Sequence, residues 1–378
     1  MARNIVLCLD GTSNQYSATN TNVVKLYAML DRARNDQLSY YQPGIGTFAP
    51  PGVWGRLKQW FITRLDLAIA WLLSDHVQDA YRYLMRYYQE GDQIFIFGFS
   101  RGAYTARALA GMISAKGLLD GKRFDLTDKE AAYRLGTAVW FASRKVALQG
   151  DPDRLSNLLG AILDFPVFLL HPPSDDQLLP APIEAVAVWD TVGALGIPVY
   201  NERLIRLDVF RFADTKLSGN VRAGRHAVAI DEERADFNPT LWDDDPRVIQ
   251  VLFPGAHADV GGGYRLEDSE SGLSDGALVW MTEELNGLGV RFSADPMVVP
   301  HPDPSGTAHR PWAHLPFDKL PRGPRTFPNG LCLSRSVLDR IGGNAVKADP
   351  GLQAAAYAPG NLSDYIAGRV AAAGITVV

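Results

Sequence analysis

Ser100 stands between two glycines in Gly98-Phe99-Ser100-Arg101-Gly102, the G-x-S-x-G spacing of a sharp strand-to-helix turn that lifts a nucleophilic serine above a sheet. The chemistry this implies is attack on an acyl carbonyl. A serine hydroxyl is a weak nucleophile until a base takes its proton, and the base must be held in one tautomer by a third group. With 35 glycines in the chain the spacing alone is a weak signal. Its context is stronger: the apolar run Ile94–Phe97 stops at Gly98, and good helix formers follow Gly102. The competing reading is an ordinary strand-to-helix loop that contains glycine and serine.

The base must be one of seven histidines. His257, in "FPGAHADVGGGY", follows the apolar run Val248–Phe253, so a strand-end loop would hold it at the carboxyl edge of a sheet, where open α/β sheets place their ligands. The three glycines beyond it permit close backbone approach. His226, in "RHAVAIDEER", precedes a strand-like run and is the second candidate. His76 falls mid-helix, His171 follows an apolar stretch, and His301, His309 and His314 lie in Pro-rich chain that reads as structural.

Asp190 ends the run "IEAVAVWD" and suits the orienting acid; the competing role for it is capping the next turn through its own backbone. The oxyanion donors are assigned to the backbone N–H of Arg101, the residue after the serine, and to the Gly11–Thr12 backbone in "LDGTSN". Asp10 reads as the organiser of that loop. Asp10, Asp190, His257 and Asp259 could alternatively be metal ligands, but H-x-D is a weak signal and no second histidine stands at zinc-ligand spacing. The "GGG" run lacks the Lys-Ser/Thr ending of a phosphate loop. The predicted reaction therefore uses no metal and no cofactor.

These residues need a frame. Ile5–Leu9 reads as a buried strand, "TNVVKLYAMLDRA" as a helix capped by Asn20 or Asn22, and "LSYYQPGIGT" as a short strand. A long helix is predicted from Leu65 to Tyr88, stopped by Gly91, and then the strand Gln93–Phe97 leads into the serine turn. This alternation predicts an α/β fold, a mostly parallel sheet flanked by helices in the α/β-hydrolase manner. The sheet resumes at 183–190 and again within 247–263. Residues 120–180 read as a helical insertion over the catalytic edge, and 295–378 as an irregular C-terminal wrap, all within a single domain spanning 1–378.

A chain of 378 residues, 47% hydrophobic and 21% charged, has an ordinary globular composition. Its net charge of −5, with no long basic run, argues against nucleic acid as a partner. Cys8 and Cys332 form no metal or redox motif, and their scarcity fits a reducing compartment. "MARNIVLCLDGT" lacks the apolar length of a secretory signal, and the lipophilic tract "LDLAIAWLL" is too short to span a bilayer. The expectation is a cytoplasmic protein without a transmembrane segment, although secretion that needs no signal leaves no trace in a sequence. Peripheral contact with a membrane is compatible with it, and the oligomeric state is not legible.

Taken together, "LDGTSN", "YYQPGIGT", "GDQIFIFGFSRGAYTARALAGMI", "VWDTVGALG", "RHAVAIDEERADFNPTLW", "FPGAHADVGGGY" and "LSDGALVWM" resemble the DUF2235 family of α/β-hydrolase-like proteins. That family includes the Tle1 phospholipase effectors of type VI secretion. The resemblance runs from residue 4 to about 282 with the motifs in the family's order. It implies a Ser-Asp-His triad at Ser100, Asp190 and His257, in agreement with the assignment from strand ends. "DGTSN" has serine where the family commonly has tryptophan. The reading is a serine hydrolase of acyl esters, lipid-like in character, with "FPVFLL" (165–170) and "VWGRLKQWFI" (53–62) as candidate acyl-site or lid segments. The alternatives are a small-ester carboxylesterase without a lipid interface and a catalytically silent binding protein on the same fold.

Overall fold

Apolar strand-forming runs and helical segments alternate along the first third of the chain, and the computed structural model shows what they build. It describes residues 2–11, 20–44, 75–147, 173–192, 199–200, 206–207, 215–265, 270–315, 317–319, 321–362 and 376–378. β1 (Asn4–Leu9) leads to α1 (Asn22–Met29) and β2 (Gln37–Gln42); α2 (75–87) precedes β3 (Gln93–Phe99), and α3 (Arg101–Lys116) follows it. β4 (Leu118–Leu119) and β5 (Leu178–Leu179) form a small antiparallel ribbon around α4 (Lys129–Ala147). β6 (Ile183–Trp189) returns to the sheet, and β7 (Val199–Tyr200) with β8 (Arg206–Leu207) makes a second ribbon. β9 (Val221–Ala229), β10 (Val248–Phe253), α5 (His257–Gly261), α6 (Gly272–Gly287), β11 (Cys332–Leu333) and α7 (Arg335–Gly342) complete the order.

The sheet has seven strands in the order β11-β10-β9-β6-β3-β1-β2, and every neighbouring pair is parallel. Parallel strands with both faces covered read as continuous apolar runs, which is how β1, β3 and β6 read. Successive side chains point to opposite faces. Ile5, Leu7, Ile94, Ile96, Val186 and Val188 join the apolar cluster under α2, α3 and α4. Val6, Cys8, Phe95, Phe97, Ala185 and Ala187 join the cluster under α1 and α6.

The chain runs from β1 outward to β2 and then back across β1 to β3. The connections after β1 and β3 therefore leave in opposite directions and open a crevice at the carboxyl ends of these neighbours, the usual ligand position in open α/β sheets. Both the "DGTSN" loop and the serine turn emerge there. Thr21, not Asn20 or Asn22, caps α1: its Oγ1 accepts from Val24 N at 3.3 Å. Asn22 is buried and its Nδ2 donates to Val260 O at 2.9 Å and Ser274 O at 2.8 Å, tying α1 to α5 and α6. A buried Lys25–Asp275 ion pair at 2.6 Å strengthens the same junction.

Two expectations change. The strand-like run after His226 is the end of a longer strand, β9, which joins the sheet between β6 and β10 where no sheet strand was expected. Its charges are taken up by other elements: Arg222 Nη1 meets Glu184 Oε2 at 3.0 Å and Arg225 Nε meets Glu284 Oε2 at 2.6 Å. The C-terminal segment is largely irregular but adds β11 as a short seventh strand and packs Leu331, Leu333, Val337 and Leu362 against Val228, Ile230 and Leu252. Within the expected insertion, Thr137 bonds Gln78 and Tyr133 lies under Arg82, so α4 runs antiparallel to α2 and toward the catalytic edge. Residues 148–172, on which the expected cover of that edge falls, lie outside the described residues, as do 45–74 and with them the start of the predicted long helix. No helix among the described residues is long and apolar enough to cross a membrane.

Candidate active site

Sheet register puts the site together. Phe99 on β3 pairs with Trp189 on β6, so the next residues, Ser100 and Asp190, emerge side by side at the carboxyl edge. Ser100 N donates to Trp189 O at 3.1 Å, and Asp190 N donates to Ala227 O at 2.8 Å. Both residues take positive φ, 58° for Ser100 and 38° for Asp190, and they are the two non-glycine residues among those described that do so. Such a backbone costs energy that the surroundings must hold, and it is common where a side chain is aimed for chemistry. The glycines of G-x-S-x-G explain how the turn is tolerated. A Cβ on Gly98 would strike the Gly102 carbonyl, and one on Gly102 would strike the Leu9 and Asp10 carbonyls of β1.

His257 follows β10 and opens α5, a short helix where a loop was expected. Its Nε2 lies 2.8 Å from Ser100 Oγ, and its Nδ1 lies 2.5 Å from Asp190 Oδ2. An ionised carboxylate only accepts, so Nδ1 carries the proton and Nε2 is left to accept from the serine hydroxyl. Ser100 is 7% exposed, His257 6% and Asp190 0%. The imidazole is packed between the rings of Phe99, at 4.6 Å between centroids, and Phe237, at 5.1 Å and edge-on.

The electrostatics follow from burial and charge. Burial pushes the His257 imidazole below the usual histidine range, opposed in part by Asp190. Burial alone would raise the Asp190 carboxyl, but the Arg325 charge and the His257 hydrogen bond outweigh it and hold it far below the carboxylate range. Glu232, also buried, accepts from His257 N at 3.2 Å and is forked by Arg234 at 2.8 Å through both oxygens. Neither Arg325, Glu232 nor Arg234 was found from the sequence. "DEER" after the β9 run was a signal of sorts, whereas Arg325 in "PRGPRTFPNG" has none.

The remaining predicted residues fall as follows. Arg101 N belongs to the first turn of α3, directly beside Ser100, where helix N–H groups have no intrahelical acceptor. The Arg101 side chain is half-buried, has no hydrogen-bond or ion-pair partner among the described residues, and is pushed down to about 10 by burial. Gly11 N donates to Asp10 Oδ1 at 2.7 Å, so this N–H is already engaged and not offered to a substrate; Thr12 lies outside the described residues. Asp10 also accepts from Thr21 Oγ1 at 2.9 Å and Tyr41 OH at 2.9 Å, consistent with organising its loop.

His226 is fully buried in β9 and pushed down to about 3, first by burial and then by the Arg107 charge. Its Nε2 accepts from Thr191 N at 3.1 Å and its Nδ1 faces Gln250 Oε1 at 3.3 Å, so it braces the turn after Asp190 and stands apart from Ser100. His309 pairs with Asp259 at 2.7 Å and His314 with Asp349 at 2.9 Å. Asp10, Asp190 and Asp259 thus go to three separate sets of partners. No group of three His, Cys, Asp or Glu among the described residues is arranged to hold a metal ion.

The family described as "T6SS, Phospholipase effector Tle1-like, catalytic domain" matches residues 3–284. An uncharacterized protein of Saccharomyces cerevisiae, YEL023C, is 31% identical over 256 residues, covering 66% of this chain and 34% of that protein. The chain therefore spans about a third of the length of that curated relative. Among solved structures, an uncharacterized protein from Pseudomonas aeruginosa is similar at 18% identity and a TM-score of 0.39, over 77% of this chain and 46% of that one. A Tle1 effector bound to the VgrG spike of the type VI secretion system is similar at 17% identity and a TM-score of 0.40, over 70% of this chain and 52% of that one.

Proposed function

We propose that this chain, which belongs to the family described as "T6SS, Phospholipase effector Tle1-like, catalytic domain", is a serine hydrolase of lipid-like acyl esters. The observation that carries this reading is the unbroken relay from Ser100 Oγ through the His257 ring to the Asp190 carboxylate, at 2.8 and 2.5 Å. Ser100 Oγ attacks the ester carbonyl while His257 Nε2 takes its proton. Charge then develops on the carbonyl oxygen, and the N–H of Arg101, at the start of the helix after Ser100, serves as a donor to it. Collapse of the tetrahedral intermediate breaks the bond to the alcohol, whose oxygen receives the proton from His257, and leaves Ser100 acylated. Water, deprotonated by the same Nε2, attacks the acyl carbon; the bond to Ser100 Oγ breaks, Oγ takes the proton back from Nε2, and the acid is released. Asp190 keeps the Nδ1–H tautomer throughout and stabilises the imidazolium between these steps.

Family membership favours a phospholipid among acyl esters. The test has two parts. A fluorophosphonate should label the wild type at Ser100 and leave Ser100→Ala unlabelled; no labelling of the wild type would refute the hydrolase reading. For a site that buries the acyl chain, each CH₂ contributes about 0.8 kcal/mol, close to fourfold per carbon. kcat/KM should then climb from acetyl to octanoyl esters, whereas a maximum at acetyl would leave a small-ester carboxylesterase.

A further inference from the structure

Arg325 lies beyond residues 3–284, the part of the chain that the family profile matches, in irregular chain 135 residues from Asp190. It is 2% exposed, and its guanidinium meets the fully buried Asp190 through both oxygens, Nη1 to Oδ1 at 2.8 Å and Nη2 to Oδ2 at 3.0 Å. The same two nitrogens donate to Ala229 O, at 2.7 Å, and to Phe237 O, which fastens the fork to the end of β9 and to the turn that carries Phe237. Ala229 N adds a bond of 3.0 Å to Oδ1.

We propose that Arg325 is a positioning residue of the relay: by forking the Asp190 carboxylate it fixes the rotamer that presents Oδ2 to His257, and its charge offsets that of Asp190. This rests on the hydrolase reading above. A carboxylate held by an imidazole alone can turn about its Cβ–Cγ bond, whereas a planar two-pronged fork allows one orientation. The charge argument concerns every group that faces the imidazole. Asp190 and Glu232 are anions, and Arg325 and Arg234 are the cations paired with them. His226 behind Asp190 is kept neutral by burial, and Asp259, on the same short helix as His257, is engaged by His309. His257 thus sits in a ring of two compensated pairs, which leaves it neutral and ready to accept a proton. Without Arg325, the bare Asp190 charge would make the imidazole more basic.

The experiment compares Arg325→Met and Arg325→Lys with the wild type, after thermal melting has shown that each folds. It follows the pH dependence of Ser100 labelling by a fluorophosphonate and the kcat and KM of a soluble short-chain ester. Arg325→Met should move the acid limb of labelling upward by on the order of one pH unit, as one nearby charge does at an effective dielectric near 20. Arg325→Lys keeps the charge and should leave that limb in place, while losing the fork should lower kcat about tenfold at unchanged KM. A folded Arg325→Met with an unmoved limb overturns the proposal, and so does Arg325→Lys with wild-type kcat. If Arg325→Met does not fold, the kcat and KM of Arg325→Lys decide. Failure to label the wild type takes down the hydrolase reading itself, whereas a labelled wild type with unaltered variants removes only the role of Arg325.

Discussion

At the scale of single residues, the site places a neutral base against a carboxylate that is also the anion of a buried ion pair. Two consequences follow. Because burial holds His257 below the ordinary histidine value of about 6.5, its neutral form survives to lower pH, and the acid limb of kcat/KM should have its midpoint below that value. A pH–rate profile on a soluble ester checks this, and a midpoint above 7 would contradict it. The second consequence separates Asp190 from its partners. Ser100→Ala and His257→Ala should each lower turnover by about 10⁴–10⁶, and Ser100→Ala should do so with little loss of stability. Asp190→Asn should lose about 10⁴ through the wrong tautomer and should also destabilise the fold by about 3–5 kcal/mol, because it strands the Arg325 charge in the interior. Thermal melts of Ser100→Ala and Asp190→Asn make the comparison; equal melting temperatures would show that the Arg325 pair does not hold the fold.

At the scale of elements, what the sequence made legible was whatever local pattern determines. The serine turn, the strand before it and the helix after it depend on glycine spacing and an apolar run, and all of them read correctly. Asp190 ends, and His257 closely follows, an apolar run that becomes a strand, which is what made both legible as candidates. β9 escaped because Arg222, Arg225 and His226 interrupt its pattern, and the groups that satisfy them, Glu184, Glu284 and Gln250, belong to other elements. The same element distinguishes the two histidines once proposed for the base. His226→Ala removes the acceptor of the Thr191 N–H behind Asp190 and should cost about 1–3 kcal/mol. Its effect on kcat should stay within about tenfold, the equivalent of about 1.4 kcal/mol of misplaced acid. If His226→Ala abolished activity while His257→Ala kept it near normal, the assignment of the base would be reversed. Gly102→Ala tests the turn in the same spirit. Its methyl would meet the Leu9 and Asp10 carbonyls, and overpacking of this kind costs about 1–3 kcal/mol or more. Loss of labelling at Ser100 with the strand pairing of β1 and β3 disturbed is the expected outcome, and a fully active Gly102→Ala would refute the close packing.

At the scale of the whole molecule, the folded core runs further than the family match. The family match stops at residue 284, and the sequence offers only an irregular wrap beyond 295, because chain rich in proline and glycine has no periodicity to read. The physics of the fold draws the boundary elsewhere. Leu331, Leu333, Val337 and Leu362 are buried against β9 and β10, and full burial of such side chains contributes about 1.5–3 kcal/mol each. Ser334 N donates to Leu252 O at 3.0 Å, where β11 continues the sheet, and His309 holds the Asp259 carboxylate of the helix that carries His257. The buried Arg340 secures the segment to itself through Pro304 O and Gly306 O at 2.6 and 2.7 Å. A chain ending at residue 294 would uncover the β10 edge and its apolar neighbours, leave Asp190 without Arg325, and free α5 from His309. It should therefore lose cooperative unfolding, with a smaller dependence of stability on denaturant, since that slope follows the surface buried in the folded state. Ser100 labelling should be lost with it. The 378-residue chain and the shortened one, compared by urea titration and fluorophosphonate labelling, decide the matter: a shortened chain that unfolds cooperatively at the same midpoint and still labels would show residues 295–378 to be dispensable to both fold and site.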